Sequence, residues 1–221
     1  MDLCRQSSAA IMRRMRHYGL AATGRPALLL AHGAGAGESH PWMQAVAEGL
    51  TRRGIPVVTF DFPYMQARRK IPDPAPVLER AFQDAFEEAV GSGPGGICWF
   101  VGGKSMGGRI ATQALARDML APRPSGVVCF GYPLHPPGKP AVRRDGHLTH
   151  VAVPILLLHG TRDPFGSPAE MSALVEALPG STLHLVDDGD HSLQQRGAAR
   201  SSPVALDAVL DRAAAWMHEH C

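Results

Sequence analysis

Six apolar runs of strand length, separated by segments with helical periodicity, recur along the 221-residue chain. The runs are ALLLAH (27–32), PVVTFD (56–61), ICWFVG (97–102), GVVCFG (126–131), PILLLHG (154–160) and TLHLVDD (182–188). Because each run is almost continuously apolar, both faces of these strands are expected to be covered, which is typical of parallel sheets. The pattern predicts one α/β domain, with a mainly parallel sheet and helices on both faces.

The segments between the runs predict helices at 41–53, 76–90, 106–120, 168–178 and 203–218. In the second of these, a stripe that begins at Val77 and Leu78 is expected to pack on the sheet, while Glu79 and its acidic neighbours face solvent. The fourth helix opens on Ser167, with Glu170 three residues later, as in a capping box.

Two proline-rich, basic stretches, 62–76 and 132–150, interrupt this pattern. Proline disfavours helix at the residue before it, so both stretches are predicted to be loops. Each follows a strand end, and ligands of open α/β sheets bind outside the carboxyl ends of the strands. These loops are therefore expected to form walls of a binding site.

Charge and cysteine content limit the partners. The formal net charge of +2 is too small to indicate nucleic acid or an anionic membrane, and no 18-residue apolar run is present, so the expected partner is a small molecule. Cys98 and Cys129 lie inside apolar runs and are predicted to be buried thiols, and the four cysteines show no metal-ligand spacing. Unpaired thiols favour a reducing, cytoplasmic location.

The first 25 residues differ from the remainder, because they are basic, contain serines and are almost free of acid. This composition fits a targeting segment, a flexible leader or a first edge strand. Residues 26–221 are predicted to form the folded domain.

The stretch GGKSMGG, residues 102–108, permits two readings. A phosphate-binding loop, G-x-x-x-x-G-K-[ST], would require glycine at position 98, which is Cys98 and lies within a predicted strand. The alternative is the nucleophile elbow G-x-S-x-G, matched by residues 103–107 between a strand and a helix. Side chains at the flanking glycines would crowd such a turn, which holds Ser105 outside the sheet.

A serine nucleophile needs a base and a group that orients the base. In chain order the acid and the histidine follow the serine of this motif. Asp163 comes just after the fifth run and His191 just after the sixth, so both are expected at the sheet edge that carries Ser105. The acids at 187, 188 and 190 remain alternatives to Asp163, although Asp188 and Asp190 are expected to shape the turn at Gly189.

The remaining candidates surround the nucleophile. Backbone N–H groups of Met106 and of Ala34, with Gly35 as the alternative to Ala34, are expected to hold an oxyanion. Gly33, Gly35 and an exposed Lys104 are expected to contact substrate. His32 and His159 end strands beside glycine and are expected to fix loops through backbone hydrogen bonds, and no spacing supports a metal site.

The blocks AHGAGAG, VGGKSMGGR, LLLHGTRDPFG and DDGDHS resemble the α/β-hydrolase superfamily. The chain looks closest to its small, lidless, dienelactone-hydrolase-like branch, which also includes the hydrolase-like domain of a subunit of the NSL chromatin complex. The resemblance implies a sheet of about six to seven strands without a large cap domain, and no cofactor. The chain departs from the family pattern in one respect, because the segment ahead of residue 27 is short for the usual first antiparallel strands.

Carried over position by position, the resemblance implies Ser105 as nucleophile, Asp163 as acid, His191 as base, and Ala34 and Met106 as oxyanion donors. The expected function is a serine hydrolase that cleaves an ester, thioester or amide of a small substrate through an acyl-enzyme. A hydrolase-like binding or scaffold protein with little turnover, or an acyltransferase with the same triad, remain the alternatives.

Overall fold

The computed structural model describes residues 15–196 and 203–221. Within them the strands are β1 (Arg16–Tyr18), β2 (Pro26–Ala31), β3 (Val57–Phe60), β4 (Cys98–Lys104), β5 (Gly126–Phe130), β6 (Ile155–Gly160) and β7 (Ser181–Val186). They form one seven-stranded sheet in the order β1-β3-β2-β4-β5-β6-β7. All neighbouring strands are parallel except β1, which pairs antiparallel with β3.

The helices are α1 (Pro41–Arg52), α2 (Pro63–Gln66), α3 (Ala75–Ser92), α4 (Met106–Ala116), α5 (Pro168–Glu176) and α6 (Pro203–Glu219), with a 3₁₀ helix at Leu148–His150. Leu50 of α1 and Leu210 of α6 pack with Leu28 on one face of the sheet. Phe82 of α3 and Ile110 of α4 pack with Leu29 on the other. In the ranges that the structure describes, no helix combines the length and apolar character needed to cross a bilayer.

The predicted α/β architecture is confirmed, and the six predicted strands lie within two residues of those observed. β1 is an additional antiparallel strand, despite the short segment ahead of residue 27, and it lies within the range 1–25 predicted as leader or edge strand. Residues 1–14 of that range lie outside the described residues. The last run, β7, is half-exposed because it forms the sheet edge.

The helix predictions were wrong in two places. Stretch 62–76, predicted as a loop, contains the one-turn helix α2. The helix predicted to reach residue 120 ends at Ala116, because Asp118 adopts a left-handed backbone (φ 53°) that a right-handed helix cannot contain.

The predicted faces of α3 were also wrong at two positions. Glu79 is buried and pairs with Arg117, at 3.1 Å, whereas Val77 is 45% exposed. The reason is that α3 packs against α4 as well as against the sheet, so a second side of the helix is covered. A charge at such a position requires a partner, which Arg117 at the end of α4 provides.

Cys98 is not the buried free thiol that the sequence predicts, because it forms a disulfide with Cys221. The two Cα atoms lie 5.6 Å apart, and the bond joins the start of β4 to the residue after α6. Cys129 is free and buried as predicted, and burial raises the pKa of its thiol to about 12. Because one of these two cysteines is paired and the other is free, the cytoplasmic location stays a prediction.

Replacing Cys221 by serine is expected to lower the free energy of unfolding by about 2–4 kcal/mol. The disulfide closes a long loop, with a separation of 123 residues, and restricts the unfolded chain. Denaturant unfolding of both proteins, with and without reductant, measures the loss. Reductant should destabilise the parent protein and leave Cys221→Ser unchanged, and equal transition midpoints in all four samples would contradict the pairing.

Candidate active site

Ser105 occupies the turn between β4 and α4. Its backbone (φ 50°, ψ −113°) lies in a region that residues with a side chain rarely adopt. Its N–H donates to the carbonyl of Phe130, 3.0 Å away, which fixes the turn to the end of β5. The sharp turn places the serine hydroxyl at the carboxyl edge of the sheet, between strand and helix.

The glycines on either side of Ser105 are required by close backbone packing. A Cβ at Gly103 would lie 2.5 Å from the carbonyl oxygen of Ala31 and 2.6 Å from the carbonyl carbon of Gly107. A Cβ at Gly107 would lie 2.5 Å from the same oxygen of Ala31. The predicted crowding is thus confirmed, and Cys98 belongs to β4 rather than to a phosphate-binding loop.

Ser105→Gly is expected to be more stable than Ser105→Ala by about 1 kcal/mol. Both substitutions remove the hydroxyl, but only glycine adopts a positive φ without strain, and part of this gain is offset by its larger unfolded-state entropy. Chemical denaturation of the two variants measures the difference, with the alanine variant as the control. A glycine variant less stable than the alanine variant would show that the turn is not strained.

Ser105, His191 and Asp163 form a continuous hydrogen-bonded chain. His191 Nε2 lies 2.8 Å from Ser105 Oγ, and His191 Nδ1 lies 2.7 Å from Asp163 Oδ2. Because a carboxylate can only accept, Nδ1 carries the proton in the neutral ring, and Nε2 accepts from the serine hydroxyl. The structure brings together the three residues that the strand ends predict.

The surroundings of Asp163 hold it in one orientation. Its side chain is buried, and its Oδ1 accepts a hydrogen bond from Phe165 N, 2.9 Å away. The Phe165 ring lies against the His191 ring, with centroids 4.2 Å apart. Both partners of the Asp163–His191 pair are therefore positioned by the short segment after β6.

The alternative acids do not bond His191. Asp190 Oδ1 accepts from the backbone N–H groups of Ser192 (2.7 Å) and Gln194 (3.0 Å), and so shapes the turn as predicted. Asp188 pairs with Arg162 at 2.7 Å. Among the described residues, Asp163 is the carboxylate that contacts the histidine.

Lys104 is part-buried, so the prediction of an exposed side chain was wrong. Its Nζ donates to the carbonyl of His191 at 2.9 Å and lies 4.8 Å from the centroid of the Trp42 ring. Burial lowers the pKa of Lys104 to about 8. The indole N–H of Trp42 donates to the next carbonyl, that of Ser192, at 2.9 Å, so both side chains anchor the loop that carries His191.

Ser105 opens into a cleft of about 500 Å³. The residues that line it are Gly33, Ala34, Ala36, His40, Met43, Pro72, Asp73, Ala75, Leu78, Lys104, Ser105, Met106, Arg109, Pro133, Arg144, Phe165, His191 and Ser192. Both proline-rich loops contribute walls, as predicted. Gly35, predicted to contact substrate, does not line the cleft, and its N–H donates to the Tyr64 hydroxyl, 3.4 Å away.

The candidate oxyanion donors are near the serine. Met106 is the first residue of α4, where backbone N–H groups lack partners within the helix and the helix dipole favours an anion. Ala34 lies in the cleft wall on the loop after β2. Both residues line the cleft into which Ser105 opens, and their role as oxyanion donors stays a prediction.

His32 has the structural role predicted for it. Its Nδ1 donates to the Gly33 carbonyl, 2.8 Å away, and its Nε2 accepts from Phe62 N, 3.0 Å away. Burial lowers the pKa of His32, so the ring remains neutral and joins the loop after β2 to the loop after β3. His159 similarly donates from Nε2 to the Gly166 carbonyl at 2.8 Å. Within the described residues no group of His, Cys, Asp and Glu side chains could hold a metal ion.

Several cleft residues were not singled out from the sequence, among them Phe165, Arg109 and Arg144. Arg109 carries a usable signal, since residues four apart lie on the same side of a helix and Ser105 immediately precedes α4. Phe165 and Arg144 reach the cleft only through tertiary packing.

The parallel sheet and the serine at the strand–helix turn define the class of α/β hydrolases. The profile of the alpha/beta hydrolase domain family matches residues 24–221, and the chain belongs to this family. The family supports a hydrolase, and solved structures of other α/β hydrolases, a dienelactone hydrolase among them, share the fold.

Three of the solved structures that share the fold illustrate the similarity. Dienelactone hydrolase from Anabaena variabilis is 22% identical, with a TM-score of 0.71 over 97% of this chain and 94% of that one. Est1E from Butyrivibrio proteoclasticus, solved with ferulic acid, is 14% identical, with a TM-score of 0.68 over 94% and 96%. A serine hydrolase without a lid from Xanthomonas campestris is 18% identical, with a TM-score of 0.66 over 87% and 82%.

Proposed function

We propose that the protein is a serine hydrolase that cleaves an ester, thioester or amide bond of a small acyl substrate. The observation that carries the proposal is the hydrogen-bonded chain from Asp163 through His191 to Ser105, with the serine open to a cleft of about 500 Å³. A buried carboxylate, a histidine and an exposed hydroxyl in this order form the constellation that activates serine.

In the proposed reaction, His191 Nε2 takes the hydroxyl proton as Ser105 Oγ bonds to the substrate carbonyl carbon. The carbonyl oxygen becomes an oxyanion, which the N–H groups of Met106 and Ala34 stabilise. His191 then delivers the proton to the leaving group as its bond to the carbonyl carbon breaks, and an acyl-enzyme remains. Water then attacks the acyl-enzyme through the same steps, and the acid is released. Throughout, Asp163 holds the imidazole and stabilises its cation. No step requires a cofactor.

The size of the cleft supports a small substrate. Among the described residues, its walls come from the segments that follow β2, β3, β4, β5, β6 and β7, rather than from an inserted cap domain. A cavity of this volume lies within the range of small-molecule sites. The proposed partner is accordingly a small acyl compound rather than a macromolecule.

A fluorophosphonate probe and a series of 4-nitrophenyl esters of increasing acyl length test the proposal. The expected result is covalent labelling of the native protein and steady release of nitrophenol that labelling abolishes. An unlabelled, folded protein without turnover would overturn the proposal in favour of a binding or scaffold role. Acyl transfer to an added alcohol that outcompetes water would instead indicate an acyltransferase.

A further inference from the structure

Two arginines line the cleft beside the proposed nucleophile, and the reaction above uses neither. Arg109 lies on α4, one helical turn beyond Ser105. Its backbone N–H donates to the Ser105 carbonyl at 3.1 Å. Arg144 comes from the proline-rich loop 132–150, where its carbonyl accepts from the Tyr132 hydroxyl at 2.8 Å. Two separate elements thus bring arginines to the wall of one cavity.

The polar groups of Arg109 are incompletely satisfied. Its Nη1 donates to Gln113 Oε1 at 3.1 Å, but its Nε is buried without a hydrogen-bond partner. Among the residues that the structure describes, no carboxylate pairs with Arg109 or with Arg144. A buried N–H donor of a charged group without a partner is costly, so this arrangement favours an acceptor supplied from outside the chain.

The charged groups around Arg109 do not neutralise the two positive charges of Arg109 and Arg144. Arg109 and Arg144 line the same cleft, and the pKa of Arg109 is lowered by burial and further by the charge of Arg144. Glu79 attracts Arg109 but is already paired with Arg117. Burial lowers the pKa of the neighbouring His147 to about 4, so that ring is neutral near pH 7.

One carboxylate in the cleft wall is already neutralised. Asp73 forms an ion pair with Arg69, at 2.7 Å. Lys104 directs its Nζ at the carbonyl of His191. Among the described residues that line the cleft, Arg109, Arg144 and Lys104 therefore carry a positive charge without a carboxylate partner, and a bound anion would relieve the repulsion between the arginines and satisfy the N–H of Arg109.

We propose that Arg109 and Arg144 form a binding subsite for a carboxylate carried by the substrate, in addition to the bond that is cleaved. The proposal rests on the proposed hydrolase function and names its substrate class as anionic acyl compounds or anionic esters. Guanidinium suits this role because its planar fork of donors matches the two oxygens of a carboxylate.

Two pairs of probes, each an anion and its uncharged amide, test the subsite. The acyl-side pair is the mono-4-nitrophenyl ester of adipate and that of adipamate. The alcohol-side pair is the acetyl ester of 4-hydroxyphenylacetate and that of 4-hydroxyphenylacetamide. In at least one pair the anion should have the higher kcat/KM, and that pair shows on which side of the scissile bond the carboxylate lies.

Arg109→Gln and Arg144→Gln should each lower the anion-to-amide ratio of kcat/KM by about 10- to 100-fold, while turnover of the amide probe persists. Arg109→Lys should retain part of the preference. Arg143→Gln is the matched control, because Arg143 neighbours Arg144 in sequence but pairs with Asp145 at 2.5 Å and does not line the cleft. An unchanged anion-to-amide ratio of kcat/KM in both Arg109→Gln and Arg144→Gln would overturn the subsite.

A binding measurement separates failure of the subsite from failure of the proposed function. Calorimetric titration compares adipamate, which has one carboxylate, with uncharged adipamide on the native protein and the three glutamine variants. Preferential binding of adipamate that Arg109→Gln or Arg144→Gln removes would support the subsite even if no ester were cleaved. Equal binding of the two compounds, with equal kcat/KM in both probe pairs, would overturn it.

Discussion

Ser105→Ala is expected to lower kcat on activated esters by about 10⁴- to 10⁶-fold and to abolish labelling by a fluorophosphonate probe. The hydroxyl is the atom 2.8 Å from His191 Nε2, and alanine leaves nothing to transfer a proton or to bond the carbonyl carbon. Residual rate would come from the oxyanion donors and from substrate binding alone. Labelling and ester hydrolysis, measured on the same preparations, give both effects.

The melting temperature of Ser105→Ala should remain close to that of the parent protein. Alanine keeps the Cβ and the backbone conformation, and the bond from Ser105 N to the Phe130 carbonyl is unaffected. Ser125→Ala is a matched control, because Ser125 precedes β5 at the opposite edge of the sheet and should retain full turnover. Undiminished labelling of Ser105→Ala would exclude this residue as the nucleophile.

The sheet and the proposed triad could be predicted from the sequence because both depend on local signals. Continuous apolar runs mark strands covered on both faces, and parallel strands bring their carboxyl ends to one edge. Ser105, Asp163 and His191 follow three such ends, so their meeting depends on the fold rather than on the lengths between them. The glycine requirement at Gly103 and Gly107 is equally local, since it arises from packing of the turn on the end of β2.

The errors lie where distant segments meet. Cys98 pairs with Cys221 because α6 returns to the amino end of β4, and Glu79 is buried because α4 ends with Arg117 beside it. Lys104 reaches the carbonyl of His191, which is 87 residues away. Hydrophobic periodicity describes one element at a time, so it cannot show a contact that depends on how two elements are placed.

Asp163→Asn is expected to lower kcat by about 10⁴-fold with little change in stability. The asparagine oxygen can still accept from Phe165 N, which leaves its amide N–H₂ facing His191 Nδ1. A donor there favours the ring tautomer with the proton on Nε2, and that nitrogen then cannot accept the proton of Ser105. Ester turnover under saturating substrate, with circular dichroism to verify folding, measures the effect.

Asp187→Asn is the matched control for this substitution, because it removes the same charge from an exposed side chain on the loop that carries His191. Its turnover should stay within about twofold of the parent value, as surface substitutions away from a site are usually mild.

Asp190→Asn tests the alternative acid. The Asp190 carboxylate accepts from the N–H groups of Ser192 and Gln194, so its loss should loosen the loop and lower kcat far less than the loss of Asp163 does. If Asp190→Asn were the more damaging change, Asp190 rather than Asp163 would be the residue that orients the histidine.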